Sequence, residues 1–412
     1  METLTTTFVL PNWIAEGLAS GNYERVGGVV RDHLTKQVVA WLREGGSIPR
    51  QGLPLPADPV TGVLNLIVSA VNTGVSVKGF ADVKQKLGGI EQTLQQVQGV
   101  LQVTSAASVL NLGISVMGFA VISQRLNELE KRLKKAEELL KKIDRKIDLG
   151  FYANFKAALG LAVSAFTMSQ STNRRDSALQ AINRFLEVEH IYANYTDKEL
   201  EQKSQIADEY LLTLSLAYLA EARCYLELGE HSVALRRFQE GSLVLRERIQ
   251  KYVELLLTSN PAAYLQPHLK EQIDLRRLTR IYQWIDPTLD ENAVFQMQRE
   301  NLFKIAQEPN KWVESLPPAI LTRVEVQGGW FGPNQEDLKR EADKRLPEVL
   351  GVMESMVETN RRFESYQAEV HAIAQLGISF HDWLQLAPAE KKPEGAELMY
   401  IIPSKPLDVA VS

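Results

Sequence analysis

The chain has 412 residues, of which 45% are apolar and 24% charged, and its formal net charge is -5. This length exceeds the size at which one hydrophobic core usually stops growing, so several domains are expected, and the acidic balance gives no reason to expect a nucleic-acid partner. A single cysteine, Cys224, excludes an intramolecular disulfide. The first residues lack the features of a secretory signal, so we expect a cytoplasmic protein that could associate with a membrane.

Residues 1–46 are predicted to form a small mixed α/β module. Within it, residues 25–31 and 37–43 have the composition of two strands, and the short polar loop between them indicates a β-hairpin. An isolated hairpin is only marginally stable in water. We therefore expect the module to dock on the rest of the chain through Trp13 and Trp41.

Two uncharged stretches follow a Pro- and Gly-rich linker at residues 47–59. Residues 60–77 carry apolar side chains at helical spacing, and residues 92–124 contain no Asp, Glu, Lys or Arg. The inner part of the second stretch, residues 103–122, is about as long as a helix that crosses a bilayer core. The residues expected to form this membrane hairpin are Val63, Ile67, Val71, Leu110, Gly113, Ile114, Gly118 and Phe119.

Beyond Gln124 the pattern becomes that of an amphipathic, coiled-coil-like helix with a heptad seam. Residues 60–150 are thus predicted to be an apolar helical hairpin that continues into one long central helix, from about residue 90 to 147. This layout resembles the α-helical pore-forming proteins. The resemblance implies a membrane-active effector, of a kind that occurs in defence systems, that oligomerises and inserts or docks its hairpin in a bilayer. The alternative is a soluble helical scaffold in which the uncharged helix is simply core.

The most specific pattern in the chain falls within residues 218–250. Small residues are set between aromatic ones at fixed spacing, in the order Tyr218, Ala222, Tyr225, Gly229, Ala234, Phe238 and Gly241. This spacing resembles one tetratricopeptide repeat, a pair of helices with Gly229 at the turn between them. Glu221 departs from the repeat, which has Leu there. Arg246 stands where the repeat has Pro, so we expect the second helix to run on to Leu257.

The resemblance implies a tetratricopeptide-like helical region at residues 151–260, which in the scaffold alternative would bind a protein partner. Residues 261–376 are predicted to be a C-terminal helical region and residues 377–412 an irregular tail. A strand-like piece of that tail, residues 397–403, could pair with the N-terminal hairpin. The predicted fold class is mainly α: an elongated helical bundle with a long central helix, a repeat-like hairpin and a small N-terminal β-hairpin module.

The sequence lacks the residue patterns that are typical of catalytic, metal-binding and cofactor-binding sites. The six histidines do not occur at metal-ligand spacings, and there is no phosphate-binding loop, dinucleotide fingerprint or nucleophile elbow. Cys224 is expected to be a buried structural thiol, and the neighbouring His381 and Asp382 to belong to a turn or helix cap. We therefore predict no enzyme activity, no catalytic or metal-binding residues and no cofactor. The expected partners are a lipid bilayer, another protein or further copies of the chain.

Overall fold

The computed structural model describes residues 3–44, 97–106, 118–140, 150–273, 275–307, 311–326, 332–384, 398–401 and 406–409. In these residues the fold is mainly helical, with a small antiparallel β-module at the N-terminus. The predicted class, mainly α with a small N-terminal β-module, is confirmed.

The helices of the described residues vary widely in length. They are α1 (Asn12–Ser20), α2 (Phe119–Leu140), α3 (Gly150–Thr167), α4 (Ser171–Glu201), α5 (Ala207–Glu227), α6 (His231–Leu257), α7 (Leu275–Ile285), α8 (Glu291–Gln307), α9 (Lys311–Glu314), α10 (Gln335–Leu376) and α11 (Phe380–Leu384). The longest, α10, has 42 residues. It starts with a capping box, in which Asn334 accepts a hydrogen bond from the Asp337 amide, and it ends at Gly377 in the left-handed region.

The strands of the described residues form two antiparallel sheets. The strands are β1 (Thr3–Pro11), β2 (Tyr23–Val26), β3 (Val29–Asp32), β4 (Val38–Glu44), β5 (Val97–Ala106) and β6 (Leu398–Ile401). Strands β1 and β5 form one pair, and the second sheet has the order β2-β3-β4-β6. The expected pairing of residues 397–403 with the N-terminal hairpin is confirmed, because Trp41 of β4 lies opposite Ile401 of β6. The predicted strand at residues 25–31 is divided at Gly27, which has a φ of 54°.

The N-terminal sheet docks on α10 and α11. A Cβ atom at Gly27 would lie 2.5 Å from the carbonyl oxygen of Arg361, so only glycine allows this approach of β2 to α10. Trp41 is fully buried, and its ring centroid lies 5.5 Å from that of Trp383. Trp13 instead remains 41% exposed. Of the two tryptophans proposed for docking, Trp41 therefore attaches the module to the helical core.

Helix α5 lies at the centre of the helical core. Of its 21 residues, 19 are buried, and it packs against α2, α3, α4 and α6. Helix α10 packs along α6, where Phe363 and Tyr366 contact Phe238 with ring centroids 5.9 and 5.6 Å away. The seam of α2 is also in this core, since Leu126, Leu129 and Leu133 are fully buried. The central element is thus α5, which belongs to the repeat-like region.

The predicted long helix from residue 90 to 147 is wrong. Residues 97–106 form β5, which pairs with β1 from Thr3 opposite Ala106 to Pro11 opposite Val97. The physical reason is composition: β5 is rich in β-branched residues and has Gly99 near its start, which disfavours a helix. Within that range the described residues form a helix at Phe119–Leu140, which is α2.

The predicted membrane-active, pore-forming function is contradicted. Within the described part of the chain, no helix has both the length and the apolar composition needed to cross a membrane. Gly118 directly precedes α2, and the ring of Phe119 stacks on that of Phe166 at 5.8 Å, so Phe119 packs against α3. Outside the described residues lie the other positions assigned to the hairpin, Val63, Ile67, Val71, Leu110, Gly113 and Ile114.

Candidate functional site

The repeat-like segment forms the hairpin of α5 and α6. Helix α5 ends at Glu227, Gly229 turns the chain with a φ of 76°, and α6 runs to Leu257 as the missing proline predicts. Ala222 and Ala234 are fully buried in the hairpin, and Tyr225 is partly buried. The remaining members of the pattern, Tyr218, Phe238 and Gly241, meet near α10.

Gly241 is the closest point of this packing. A Cβ atom there would lie 2.9 Å from the Tyr218 ring and 3.1 Å from the Phe363 ring, so the position has room for glycine alone. Phe363 belongs to α10. The outer helix of the hairpin therefore packs on α10 in the place where a solenoid would have its next repeat.

The hairpin does not present an open groove in the described structure. A concave binding surface needs a free face on the repeat helices. Helix α5 has none, because it is buried on all sides. On α6 the large apolar side chain that stays exposed is Leu243, at 70%. A partner surface must therefore be sought elsewhere on the helical region.

A cluster of buried charges ties α4, α5 and α6 together. The Arg237 guanidinium of α6 donates to Glu189 of α4 and to Glu221 of α5, both at 2.5 Å, and lies over the Tyr218 ring. Burial, followed by the Glu221 carboxylate, raises the pKa of Glu189 well above its usual value, and burial raises the pKa of Glu221. Glu221, the departure from the repeat pattern, is thus a structural contact. It is fully buried and cannot meet a substrate.

A half-open cavity of 390 Å³ lies between the start of α5, the end of α6, residues 317–325 and α10. Its polar lining comes from Gln205, Asp208, Tyr252, Glu325, Arg345 and Glu348, and its apolar lining from Leu256, Ala319, Ile320, Val349 and Val352. The polar groups at the entrance are connected: Gln205 donates to Glu325, and Arg345 donates to Glu325 at 2.7 Å and to Glu341 at 2.8 Å. This network fixes the arrangement of Gln205, Glu325 and Arg345, while Asp208 and Tyr252 add polar groups to the buried part of the lining.

Helix α8 carries an exposed apolar face. Phe295, Leu302 and Phe303 are 53, 45 and 64% exposed, and their spacing places them on one side of the helix. The other side is buried through Val294, Gln298 and Asn301. Among the described residues, the other exposed large hydrophobic side chains occur singly, on different elements. The spacing of these three residues is visible in the sequence, although it does not show by itself that the face is exposed.

Clusters of metal-ligating side chains and the reactivity of Cys224 can be examined in the residues that the structure describes. They contain no group of His, Cys, Asp and Glu side chains suited to a metal ion. Cys224 is buried, and burial raises the pKa of its thiol well above the usual value, which disfavours the reactive thiolate. At the start of α11 the Ser379 hydroxyl donates a hydrogen bond to the Asp382 carboxylate at 2.7 Å, and the Asp382 amide donates to that hydroxyl at 3.0 Å. The sequence motif at this position is therefore a helix cap, as expected.

The described structure thus has two candidate binding surfaces, the cavity beside α5 and the apolar face of α8. Comparisons with family models, with curated proteins and with solved structures found no match to this chain. We therefore infer function from the geometry of these two surfaces.

Proposed function

We propose that the protein is a helical scaffold that binds a partner protein through the apolar face of α8, formed by Phe295, Leu302 and Phe303. The observation that carries this proposal is the exposure of three large apolar side chains on one helix face. Contiguous exposed apolar patches mark interaction sites in folded proteins. Aromatic residues are enriched among those that contribute most to protein-protein binding.

The anchoring of α8 supports an interface rather than a loosely attached helix. Val294, Gln298 and Asn301 fix its inner side, and they are 0, 3 and 4% exposed. The helix packs against the turn Pro261–Leu265, which follows α6 in the chain. Binding energy at the outer face is thus not spent on ordering the helix. The turn that follows the repeat-like hairpin is thus the part of the core on which α8 packs.

The charges of α8 favour a protein over a lipid surface. A helix that lies on a membrane usually carries an excess of Lys and Arg on its polar face. Helix α8 has two acidic residues, Glu291 and Glu300, and two basic ones, Arg299 and Lys304. This balanced set offers no attraction to anionic headgroups and suits the polar rim of a protein interface.

Site-specific photo-crosslinking in the native host tests the proposal. Benzoylphenylalanine replaces Phe303 in the full chain in one strain and Leu34 in a second strain. Leu34 is a matched control because it is 88% exposed but isolated in a loop. We expect one discrete covalent adduct from position 303 and none from position 34. Mass spectrometry then identifies whether the adduct holds another protein or a second copy of this chain.

A second substitution makes this test specific for the α8 face. Adding Phe295→Glu to the chain with the crosslinker at 303 should abolish the adduct, since a charge in the middle of an apolar interface is strongly unfavourable. Two outcomes would contradict the proposal: an adduct from position 303 no stronger than that from position 34, or an adduct that survives Phe295→Glu.

A further inference from the structure

We propose that Arg280 and Arg361 bind the phosphate group of a small soluble compound, at the place where α7 and α10 meet the N-terminal sheet. Neither arginine lines the cavity or belongs to the α8 face, so this proposal does not depend on partner binding. Two cationic side chains without a counter-charge mark the site, and the backbone beside them is held in place by the sheet.

Helix α7 runs alongside α10 in the same direction. Near the start of α7, the Arg277 guanidinium donates to both carboxylate oxygens of Glu354 in α10, at 2.8 and 2.6 Å. Near its end, Arg246 of α6 donates to the Trp284 carbonyl oxygen at 3.2 Å and lies 3.9 Å from Glu364 of α10. The middle of α7 therefore lies beside the turn of α10 between these two glutamates.

Arg361, in that turn of α10, has no ion-pair partner. It is partly buried, and its guanidinium makes no hydrogen bond or ion pair with any residue that the structure describes. Glu358 and Glu364 are the carboxylates whose charges reach it, and both have other arginines as partners. Burial, followed by the charge of Arg25, lowers the pKa of Arg361, and Arg280 adds to this effect. The guanidinium nevertheless stays charged at neutral pH, so it is suited to an external anion.

Arg280 supplies a second cation without a partner. Its side chain is exposed, and it makes no hydrogen bond or ion pair within the described part of the chain. Its charge acts on Arg361, so the two guanidinium groups repel each other unless an anion binds beside them. Two positive charges favour a doubly charged anion over a singly charged one. Guanidinium groups also match the oxygen geometry of phosphate, to which they donate in pairs.

The backbone around Arg361 is fixed by the N-terminal sheet. A Cβ atom at Gly27 would lie 2.5 Å from the Arg361 carbonyl oxygen, so the turn between β2 and β3 packs directly on α10 here. Arg25 is held by the Gly27 carbonyl oxygen at 2.7 Å and by Glu358 at 2.6 Å. Ligand binding therefore spends little free energy on ordering the backbone. Because Arg361 is partly buried in this junction, a small ion fits the site better than a flat membrane surface does.

Titration with pyrophosphate tests the ligand class. Pyrophosphate, or acetate as a singly charged control, is added to the full chain at constant low ionic strength, and calorimetry measures binding. We expect a Kd of about 1 mM or lower for pyrophosphate and at least about tenfold weaker binding of acetate. Equal binding of the two anions, or no saturable binding of pyrophosphate, would overturn the proposal. Co-sedimentation with phosphatidate vesicles without pyrophosphate binding would also overturn it, because the arginines would then contact a lipid surface.

Two substitutions locate the binding site. Arg280→Gln and Arg361→Gln each remove one guanidinium, and each should weaken pyrophosphate binding at least about tenfold. Arg184→Gln is the matched control, because Arg184 is an arginine of α4 that is 67% exposed, and it should leave the affinity unchanged. Unchanged affinity in both site variants would refute the assignment of the site.

Stability separates a binding role of Arg361 from a purely structural one. Removing a partly buried charge that has no partner should not lower the urea midpoint of the ligand-free protein. Pyrophosphate should raise the midpoint of the wild type, since it binds the folded state, but not that of Arg361→Gln. A ligand-free Arg361→Gln variant that is less stable than the wild type would show that the guanidinium is a structural contact and would contradict the proposal.

Discussion

Glu358 is the residue that connects the N-terminal sheet electrostatically to the helical core. Its carboxylate accepts hydrogen bonds from Arg25 of β2, at 3.0 and 2.6 Å, and from Arg362 of α10, at 3.0 Å. Burial would raise the pKa of Glu358, but the two arginines outweigh this effect and lower it to about 2. The ionised pair therefore stabilises the fold above pH 4.5, and this stabilisation is lost as the pH falls towards about 2.

We predict that Glu358→Gln lowers the free energy of unfolding by about 3 to 5 kcal/mol, because two buried guanidinium groups lose their counter-charge. The measurement is chemical denaturation at pH 7. Arg31→Gln is the control: Arg31 pairs with Glu24 nearer the surface, and its loss should cost about 1 kcal/mol or less. Equal effects of the two substitutions would show that Glu358 is not the main attachment.

Glu209 has the opposite dependence on pH. Burial and the adjacent Asp208 raise the pKa of Glu209 to about 7, against a weaker opposing effect of Arg132. The unfolded chain loses this proton near pH 4.5, but the folded chain keeps it up to about pH 7. The free energy of unfolding therefore falls as the pH rises from 4.5 to 7 and is constant above that, as far as Glu209 is concerned.

We predict that Glu209→Gln removes this fall, because glutamine stays neutral at every pH. Above pH 7 the variant should be more stable than the wild type by up to about 3 kcal/mol. The test is the urea midpoint of both proteins between pH 4.5 and 8, with the exposed Glu254→Gln as control. If the urea midpoint of Glu209→Gln fell between pH 4.5 and 7 as it does in the wild type, another titratable group would be the cause.

At the scale of elements, the sequence predicted the presence of helices better than it predicted where they begin and end. The repeat pattern correctly located the turn at Gly229, and the absence of proline at Arg246 correctly predicted that α6 reaches Leu257. Residues 97–106 were misassigned because an uncharged segment satisfies either helix or strand, and the choice depends on its pairing with β1. That partner lies at the other end of the N-terminal region, which local periodicity cannot show.

The packing of α6 on α10 yields a prediction with a matched pair of glycines. Gly241→Ala should destabilise the protein by about 1 to 2 kcal/mol, because the new methyl group meets the rings of Tyr218 and Phe363. Gly160→Ala in α3 meets nothing within 4 Å and should stabilise it by about 0.5 to 1 kcal/mol, through helix propensity alone. Thermal or urea denaturation measures both. If both substitutions changed the free energy of unfolding in the same direction, the close contact at Gly241 would be contradicted.

At the scale of the whole molecule, the two candidate binding surfaces are features that the sequence pattern did not reveal. The cavity gathers residues from position 205 to position 352, which become neighbours only through the packing of α5, α6 and α10. The helical spacing of the three apolar residues on α8 is visible in the sequence. A stripe of apolar residues on a helix, however, normally indicates a side that packs in the core. Only the exposure of Phe295, Leu302 and Phe303 shows that the stripe points outward.

The fold should not depend on this outward stripe. Since Phe295 and Phe303 are more than half exposed, Phe295→Glu with Phe303→Glu should change the free energy of unfolding by less than about 1 kcal/mol. Denaturation of the double variant beside the wild type checks this. A larger loss would mean that the two rings belong to the core and not to an interface.

The central claim is that the α8 face binds a partner protein, and the most direct measurement is the Kd of the crosslinked partner for purified wild type and for the Phe295→Glu, Phe303→Glu double variant. The two aromatic rings are expected to dominate binding, so we expect a Kd at least about 100-fold higher for the double variant. Leu34→Glu should leave the Kd unchanged. A change of less than about threefold in the folded double variant would contradict the account.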